Sequence, residues 1–252
     1  MAAERFLRFW RALDARFERV EPAWWGAVVT DRRFPRIWDV NYARVEAPGE
    51  VGVDEVMAAL RPALRRAGAR WVHLVLHRPE DQTDLIAALS VRGDRLSWDA
   101  VMEQTDPRPG PAGVPVEEVS RPDEAFWEAF RASLHEFRID DPGVVRELEA
   151  MERSVLLPVK RWFVVRADGA IASLGALVAL EGLGYVDHVV TFPAARGRGY
   201  ARAIVARIAD EARAAGSERV FLLTEEGSPA ARVYAGLGFR AVGRLGSTLR
   251  PA

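Results

Sequence analysis

The chain contains no cysteine. That absence excludes disulfides, thiolate metal sites and a thiol nucleophile, and it fits a reducing compartment. It has a single lysine, Lys160, among 35 basic residues. So strong an arginine bias, with abundant alanine, points to a GC-rich bacterial genome. Neither charge sign is in excess: 35 Lys and Arg face 36 Asp and Glu, for a net charge of −1. A dedicated nucleic-acid binder would carry a basic surplus, so nucleic acid is not expected as a partner. No stretch approaches the ~18–20 uninterrupted apolar residues that span a bilayer. Residues 1–10 carry Glu4, Arg5 and Arg8 and lack a long apolar run before a small-residue cleavage site. No signal peptide is read there, and the cytoplasm is the expected location. What is present is globular in character: 252 residues, 49% hydrophobic and 9% aromatic. That excludes a disordered or fibrous chain and allows one large domain or two modest ones.

The clearest seam is Asp106-Pro107-Arg108-Pro109-Gly110-Pro111-Ala112-Gly113. A run so rich in Pro and Gly can neither continue a helix nor fill a central strand, and it reads as a linker. It leaves a first part of residues 1–105 and a second of residues 114–252. In the second part, apolar residues follow helical spacing over 126–137 and 144–155. Trp162-Phe163-Val164-Val165 reads as a buried strand, with a turn at Asp168-Gly169 and a hairpin partner over 171–180. A further strand is expected over 184–192, then a break at Pro193. Ala201, Ile204, Val205, Ile208, Ala209 and Ala212 share one face of a helix. A strand over 220–224 follows, then a helix with Ser228 as N-cap and Pro229 in its first turn, then a strand over 240–249. The expected class is mixed α/β with a mostly antiparallel sheet flanked by helices.

The two parts also resemble each other. Gly68 and Gly216 each close an amphipathic helix before a strand, 148 residues apart. The same offset lays Val220-Phe221-Leu222-Leu223 on Val72-His73-Leu74-Val75, Leu237 on Leu89 and Phe239 on Val91, without a gap. The order helix, strand, helix, strand recurs, and a tandem duplication is the reading favoured.

Arg196-Gly197-Arg198-Gly199-Tyr200-Ala201 lies between a strand and the most amphipathic helix. Two glycines let the backbone turn tightly and approach a ligand. The first amides of the helix are unsatisfied and its dipole adds positive charge, so a diphosphate is the natural guest, with Arg196 and Arg198 adding charge. A P-loop would need Gly-Lys-Ser/Thr, and a dinucleotide fingerprint would need a third glycine where Arg202 stands.

With this loop on the page, the second part resembles the GNAT superfamily of acyl-coenzyme A N-acyltransferases. RGRGYA matches that superfamily's R/Q-x-x-G-x-G/A signature. Val189-Val190-Thr191-Phe192-Pro193 looks like its fourth strand, which splays at a bulge. The run from Ser228 to Phe239, with Tyr234 and Gly238, is similar to its second signature. The usual asparagine there is replaced by Ser228 or Gly227. The resemblance covers residues 114–252 and implies that acetyl-coenzyme A is the cofactor. Backbone groups of Val189, Val190 and Thr191 would pair with the pantetheine arm as an added strand. Amides from Gly197 through Arg202, including those of Tyr200 and Ala201, would hold the diphosphate, and Ser228 would lie near the arm. Tyr234 would protonate the departing thiolate, since a phenol with a pKa of about 10 stays protonated at neutral pH. The base lies among Asp187, His188, Glu225 and Glu226, with Asp187 first; strand alternation places Asp187 and His188 on opposite faces. No metal is required.

The same offset puts Glu50 at Arg198, Val51 at Gly199 and Ile86 at Tyr234. The first part therefore reads as a degenerate, non-catalytic copy that shapes the acceptor pocket, with Trp24, Trp25, Trp38 and Asn41 as candidates for that wall, although core packing also explains the tryptophans. The expected activity is transfer of an acetyl group to a primary amine, on a small molecule or a protein N-terminus, by direct attack in a ternary complex. A non-catalytic acyl-coenzyme A sensor or interaction module is the alternative, and a nucleotide-binding regulator a third. Sequence says nothing of oligomeric state.

Overall fold

The computed structural model describes residues 2–252, with side chains from residue 4 onward. Two compact units are present: Met1–Ala100 together with Gly243–Ala252, and Val101–Val242.

The first unit begins with α1 (Ala2–Asp14), then β1 (Arg19–Ala23), β2 (Gly26–Thr30), β3 (Tyr42–Val45), α2 (Val53–Ala67), β4 (Trp71–Leu76), α3 (Thr83–Val91) and the start of β5 (Leu96–Gln104). β1–β2 and β2–β3 are antiparallel, while β3 and β4 run parallel. Val56, Leu60 and Leu64 of α2 lie on one helix face and close the core over Val45, Leu74 and Leu76.

The second unit holds β6 (Glu117–Val119), α4 (Glu124–Leu134), α5 (Pro142–Met151), β7 (Lys160–Ala167), β8 (Ala170–Leu180), β9 (Leu183–Thr191), α6 (Tyr200–Ala214), β10 (Arg219–Glu225), α7 (Pro229–Gly236) and the start of β11 (Phe239–Pro251). Its strands lie in the order β10-β9-β8-β7-β6. Only the β9–β10 pair is parallel. Phe126, Trp127 and Phe130 of α4 pack with Trp162, Val164 and Leu174. α6 buries Ile204, Val205, Ile208, Ala209 and Ala212, the stripe its spacing predicts. The mixed, mostly antiparallel architecture expected from the periodicity is present. So is the recurring order: α2, β4, α3, β5 in one half of the chain and α6, β10, α7, β11 in the other.

The division of the chain differs from the linker reading. The units part after Ala100, and residues 243–252 return to the first unit, where Gly246 to Pro251 pair antiparallel with Leu76 to Trp71. The Pro/Gly run lies within the second unit, packed on α6: a Cβ on Gly110 would come within 2.9 Å of that of Ala206. Proline and glycine exclude regular structure, but they do not exclude packing.

Gly184 shows how closely α6 approaches the sheet. A Cβ there would lie 2.5 Å from the Cβ of Ala212 and 3.3 Å from Ser217 Oγ. The Ala212 methyl is fixed to the helix backbone, so relief requires moving the helix. Gly184→Ala is expected to destabilise the protein by about 1–3 kcal/mol through overpacking, read as a lower urea midpoint at unchanged slope.

Candidate active site

The site begins where two strands separate. β9 and β10 pair from Leu183/Arg219 to Val186/Leu222. Beyond that point β9 carries a bulge: Leu174 faces Val190 and Ala176 faces Asp187, so His188 and Val189 together oppose Gly175. His188 takes a positive φ of 51° to make the bend. A bulge inserts a residue, turns the strand and ends its pairing. The result is a cleft of about 270 Å³ lined by Val189, Val190, Thr191, Arg196, Ala201 and Tyr234, with Glu136, Phe137, Ala230 and Val233. Six residues expected at the cofactor or the chemistry thus share one cleft.

The glycine loop stands at its end. Gly197 and Gly199 have φ of 78° and 80°, the left-handed region that favours glycine. Gly199 is the N-cap of α6 and provides no side-chain acceptor for the first-turn amides. A Cβ on Gly197 would meet nothing within 4 Å, whereas one on Gly199 would lie 3.2 Å from Pro111. An open cradle with unsatisfied amides and an exposed strand edge beside it fit a linear diphosphate ester such as coenzyme A.

Two expected contacts are already engaged. Arg196 donates to the carbonyl of Thr191 at 3.2 Å and pairs with Glu136. Its charge is therefore shared with a carboxylate, unlike the unshared charge expected at the phosphates. Ser228 Oγ accepts from the amide of Ala231 at 3.2 Å and lies 3.1 Å from Thr224 Oγ1, the N-cap its position predicts. Arg202 follows along α6, its guanidinium 3.4 Å from where a Cβ on Gly236 would sit.

Tyr234 and Asp187, the residues expected to carry the chemistry, lie on α7 and β9. Tyr234 is 9% exposed. Burial, and then the charge of Asp187, push its phenol up to about 12. Asp187 thus lies within electrostatic range of Tyr234. It is 31% exposed and 2.9 Å from Lys160 Nζ. Burial alone would raise the Asp187 carboxyl, but Lys160 above all holds it below the ordinary carboxylate range. Lys160 also pairs with Glu152 and lies 4.7 Å over the Trp162 ring.

Strand alternation placed Asp187 and His188 on opposite faces, and the bulge cancels it. Asp187 reaches Lys160, and the His188 ring lies 5.1 Å from Trp162, two residues along the same face of β7. His188 also stacks on Phe130 at 5.2 Å. Glu225, the last residue of β10, and Glu226, in the turn before α7, are exposed and do not line the cleft. Sequence reasoning missed Glu136, Ser133 and Glu152, which come from α4, α5 and the turns after them and carry no local motif. Only Lys160, the sole lysine, carried a signal.

The first unit handles the equivalent region differently. Its parallel pair β3–β4 stays bridged: the amide of His77 donates to the carbonyl of Val45. The buried Gln82 side-chain amide donates to the carbonyls of Val45 and Ala47, at 3.4 and 3.0 Å. Val51, at the position of Gly199, is buried in the core, and Ile86 packs against it. Trp25 and Asn41 are interior too, with Asn41 bonded to Phe34, Ile37 and Asp31. Trp38 packs edge-on against Trp71, and Trp24 is 61% exposed beside Glu55.

Residues 122–239 match the model of the Acetyltransferase (GNAT) family. The match lies within the second unit and supports acyl-coenzyme A-dependent acetyl transfer in general terms. Among solved structures, a GCN5-related N-acetyltransferase from Kribbella flavida is 20% identical, with a TM-score of 0.68, over 100% of this chain and 96% of that one. A protein from Staphylococcus epidermidis, described as functionally unknown, is 11% identical at the same TM-score, over 89% and 90%. A GCN5-related N-acetyltransferase from Sphaerobacter thermophilus is 19% identical with a TM-score of 0.57, over 79% and 67%. These are likenesses of fold. No curated protein matches the chain. Among the described residues, no helix is long and apolar enough to cross a membrane.

Ser133 Oγ donates to the carbonyl of Phe130 at 2.7 Å and lies 2.7 Å from His188 Nε2. With its proton committed, the hydroxyl must accept from Nε2–H. Burial, and then Lys160, push His188 down to about 3. The imidazole is therefore expected to remain neutral with its proton on Nε2 between about pH 5 and 8. Nitrogen-15 NMR of the ring checks this, and a doubly protonated ring near pH 6 would contradict it.

Proposed function

We propose that the second unit is an acetyl-coenzyme A-dependent N-acetyltransferase acting on a primary amine by direct attack in a ternary complex. The observation that carries this reading is the cleft beside the bulge of β9, whose wall combines Val189 to Thr191, the two ends of the glycine loop at Arg196 and Ala201, and Tyr234, with the Asp187 charge acting on that tyrosine. Bound coenzyme A would supply an activated acetyl thioester. Val189 and Thr191 would align its arm by strand-like pairing, and the amides from Gly197 through Arg202 would hold the diphosphate.

Each protein group then has one task. Tyr234 remains protonated well past neutral pH, because its pKa is raised rather than lowered; it delivers a proton to the sulfur that leaves. Asp187 is ionised at neutral pH, because its pKa is depressed. Its charge draws an ammonium-bearing acceptor into the cleft; the ammonium gives its first proton to solvent, the free amine attacks the thioester carbonyl, and Asp187 takes the second proton from the nitrogen once it is bonded to that carbon. Nitrogen bonded to the carbonyl carbon is far more acidic than the free ammonium, so a weakly basic carboxylate suffices. The first unit, with Gln82 bridging its strand pair and Val51 at the glycine position, is read as a copy that does not hold coenzyme A. The acceptor is a small-molecule amine or a protein N-terminus.

An acetylation assay over a panel of primary amines, following release of free thiol, tests the activity. Tyr234→Phe should lower kcat by roughly 10²–10⁴-fold with unchanged coenzyme A affinity; unaltered turnover would remove Tyr234 from the chemistry. A pure sensor would bind acetyl-coenzyme A and release no thiol with any amine. Gly199→Glu sets a carboxylate and an unfavourable backbone geometry against the diphosphate. Calorimetry should show coenzyme A binding at least tenfold weaker, about 1.4 kcal/mol.

A further inference from the structure

Lys160, the only lysine of the chain, is 4% exposed and lies at the start of β7. Its ammonium is held between Glu152 on one side and Asp187 on the other. Glu152 opens a single π-helical turn, Glu152–Leu156, that continues α5. Such turns displace one residue from the regular helix face and are frequent at functional sites. Glu152 Oε1 meets Lys160, while Oε2 is buried without a hydrogen-bond partner. An interior that served stability alone would not keep such a group, because an unsatisfied buried carboxylate oxygen costs stability and a buried ion pair often adds none over apolar packing. Of the three charged groups, Asp187 is the one whose charge acts on Tyr234 in the cleft wall.

We propose that Lys160 and Glu152 are positioning residues for acetyl transfer: Lys160 fixes the Asp187 carboxylate at the bulge as an anion, and Glu152 competes for the same ammonium and so sets how tightly Asp187 is held. The proposal rests on the N-acetyltransferase reading and deepens it. The groups facing Asp187 are Lys160 from β7, Glu152 beyond it, His188 on its own strand and Tyr234 from α7. The directions agree with the geometry. Burial raises the Glu152 carboxyl and Asp187 raises it further, while Lys160 opposes both. Burial works against the charge of Lys160, but the two carboxylates outweigh it and keep it an ammonium.

The two partners therefore act on Asp187 with opposite signs. Carbon-13 NMR of the Asp187 carboxyl, titrated in the whole protein without ligand, reads this directly. Removing the cation in Lys160→Met should move the titration upward by about one to three pH units, the effect of an opposite charge within hydrogen-bonding range. Removing the competing anion in Glu152→Gln, which keeps the shape and an acceptor for Lys160, should move it downward. The acid limb of the kcat/KM profile for an amine should follow each variant in its own direction. A structural role would lower stability in both variants and move neither limb in opposed senses. Titrations that stay put, or that move together, overturn the proposal. Lys160→Met leaves the buried Glu152 and the half-buried Asp187 without their cation and can unfold the chain; Glu152→Gln alone still decides, since an unmoved Asp187 in that variant refutes the competition. If both titrations move as stated and no amine is acetylated, the N-acetyltransferase reading fails while the clamp stands; if acetylation is found and the titrations do not move, the clamp fails.

Discussion

The functional half of this molecule depends on a sheet that is prevented from closing. Parallel strands with free backbone groups would ordinarily go on pairing to the end of the shorter one, because every unpaired buried amide costs free energy. Here β9 is turned aside at His188 and Val189, and pairing with β10 stops at Val186. The groups that lose their partners become the wall of a cleft, and a ligand with amides of its own could satisfy them. The bend also brings Asp187 and His188 onto one side, toward Lys160 and Trp162. The cleft wall and the placing of the carboxylate both follow from one inserted residue.

The first unit shows the alternative. Its parallel pair has no comparable gap, because Gln82 is drawn across it and bonded to the carbonyls of Val45 and Ala47. A side-chain amide makes the kind of bonds to a strand edge that an amide-bearing ligand arm would make in the second unit. The polar requirement is the same in both places. It is met internally in the first unit, and under the proposed function a guest would meet it in the second.

Sequence carried the parts of the site that repeat locally. The glycines near 200, the alternation of β7 to β9 and the stripe of α6 each depend on residues close in the chain, and spacing alone located them. The bulge is different. It depends on two strands failing to match by one residue, which period-two reasoning cannot register, so alternation puts Asp187 and His188 on opposite faces where the structure turns both toward β7. Glu152 and Glu136 were invisible for another reason: each meets its partner across the fold, Lys160 in one case and Arg196 in the other, and neither belongs to a motif. The proline-rich run at 106–113 misled in the opposite sense, since its composition marks irregular backbone while its small residues fit against the alanines of α6.

The path of the final strand has a consequence for taking the protein apart. Residues 243–252 belong to the first unit, where they lie along β4 and His73 Nδ1 meets the carbonyl of Thr248 at 2.9 Å. A fragment ending near Ala100 would leave β4 with a bare hydrogen-bonding edge, an invitation to aggregation. The complementary fragment would carry an orphan tail with nothing to lie against. Neither half of this polypeptide can be inherited, expressed or lost intact by a single break in its gene.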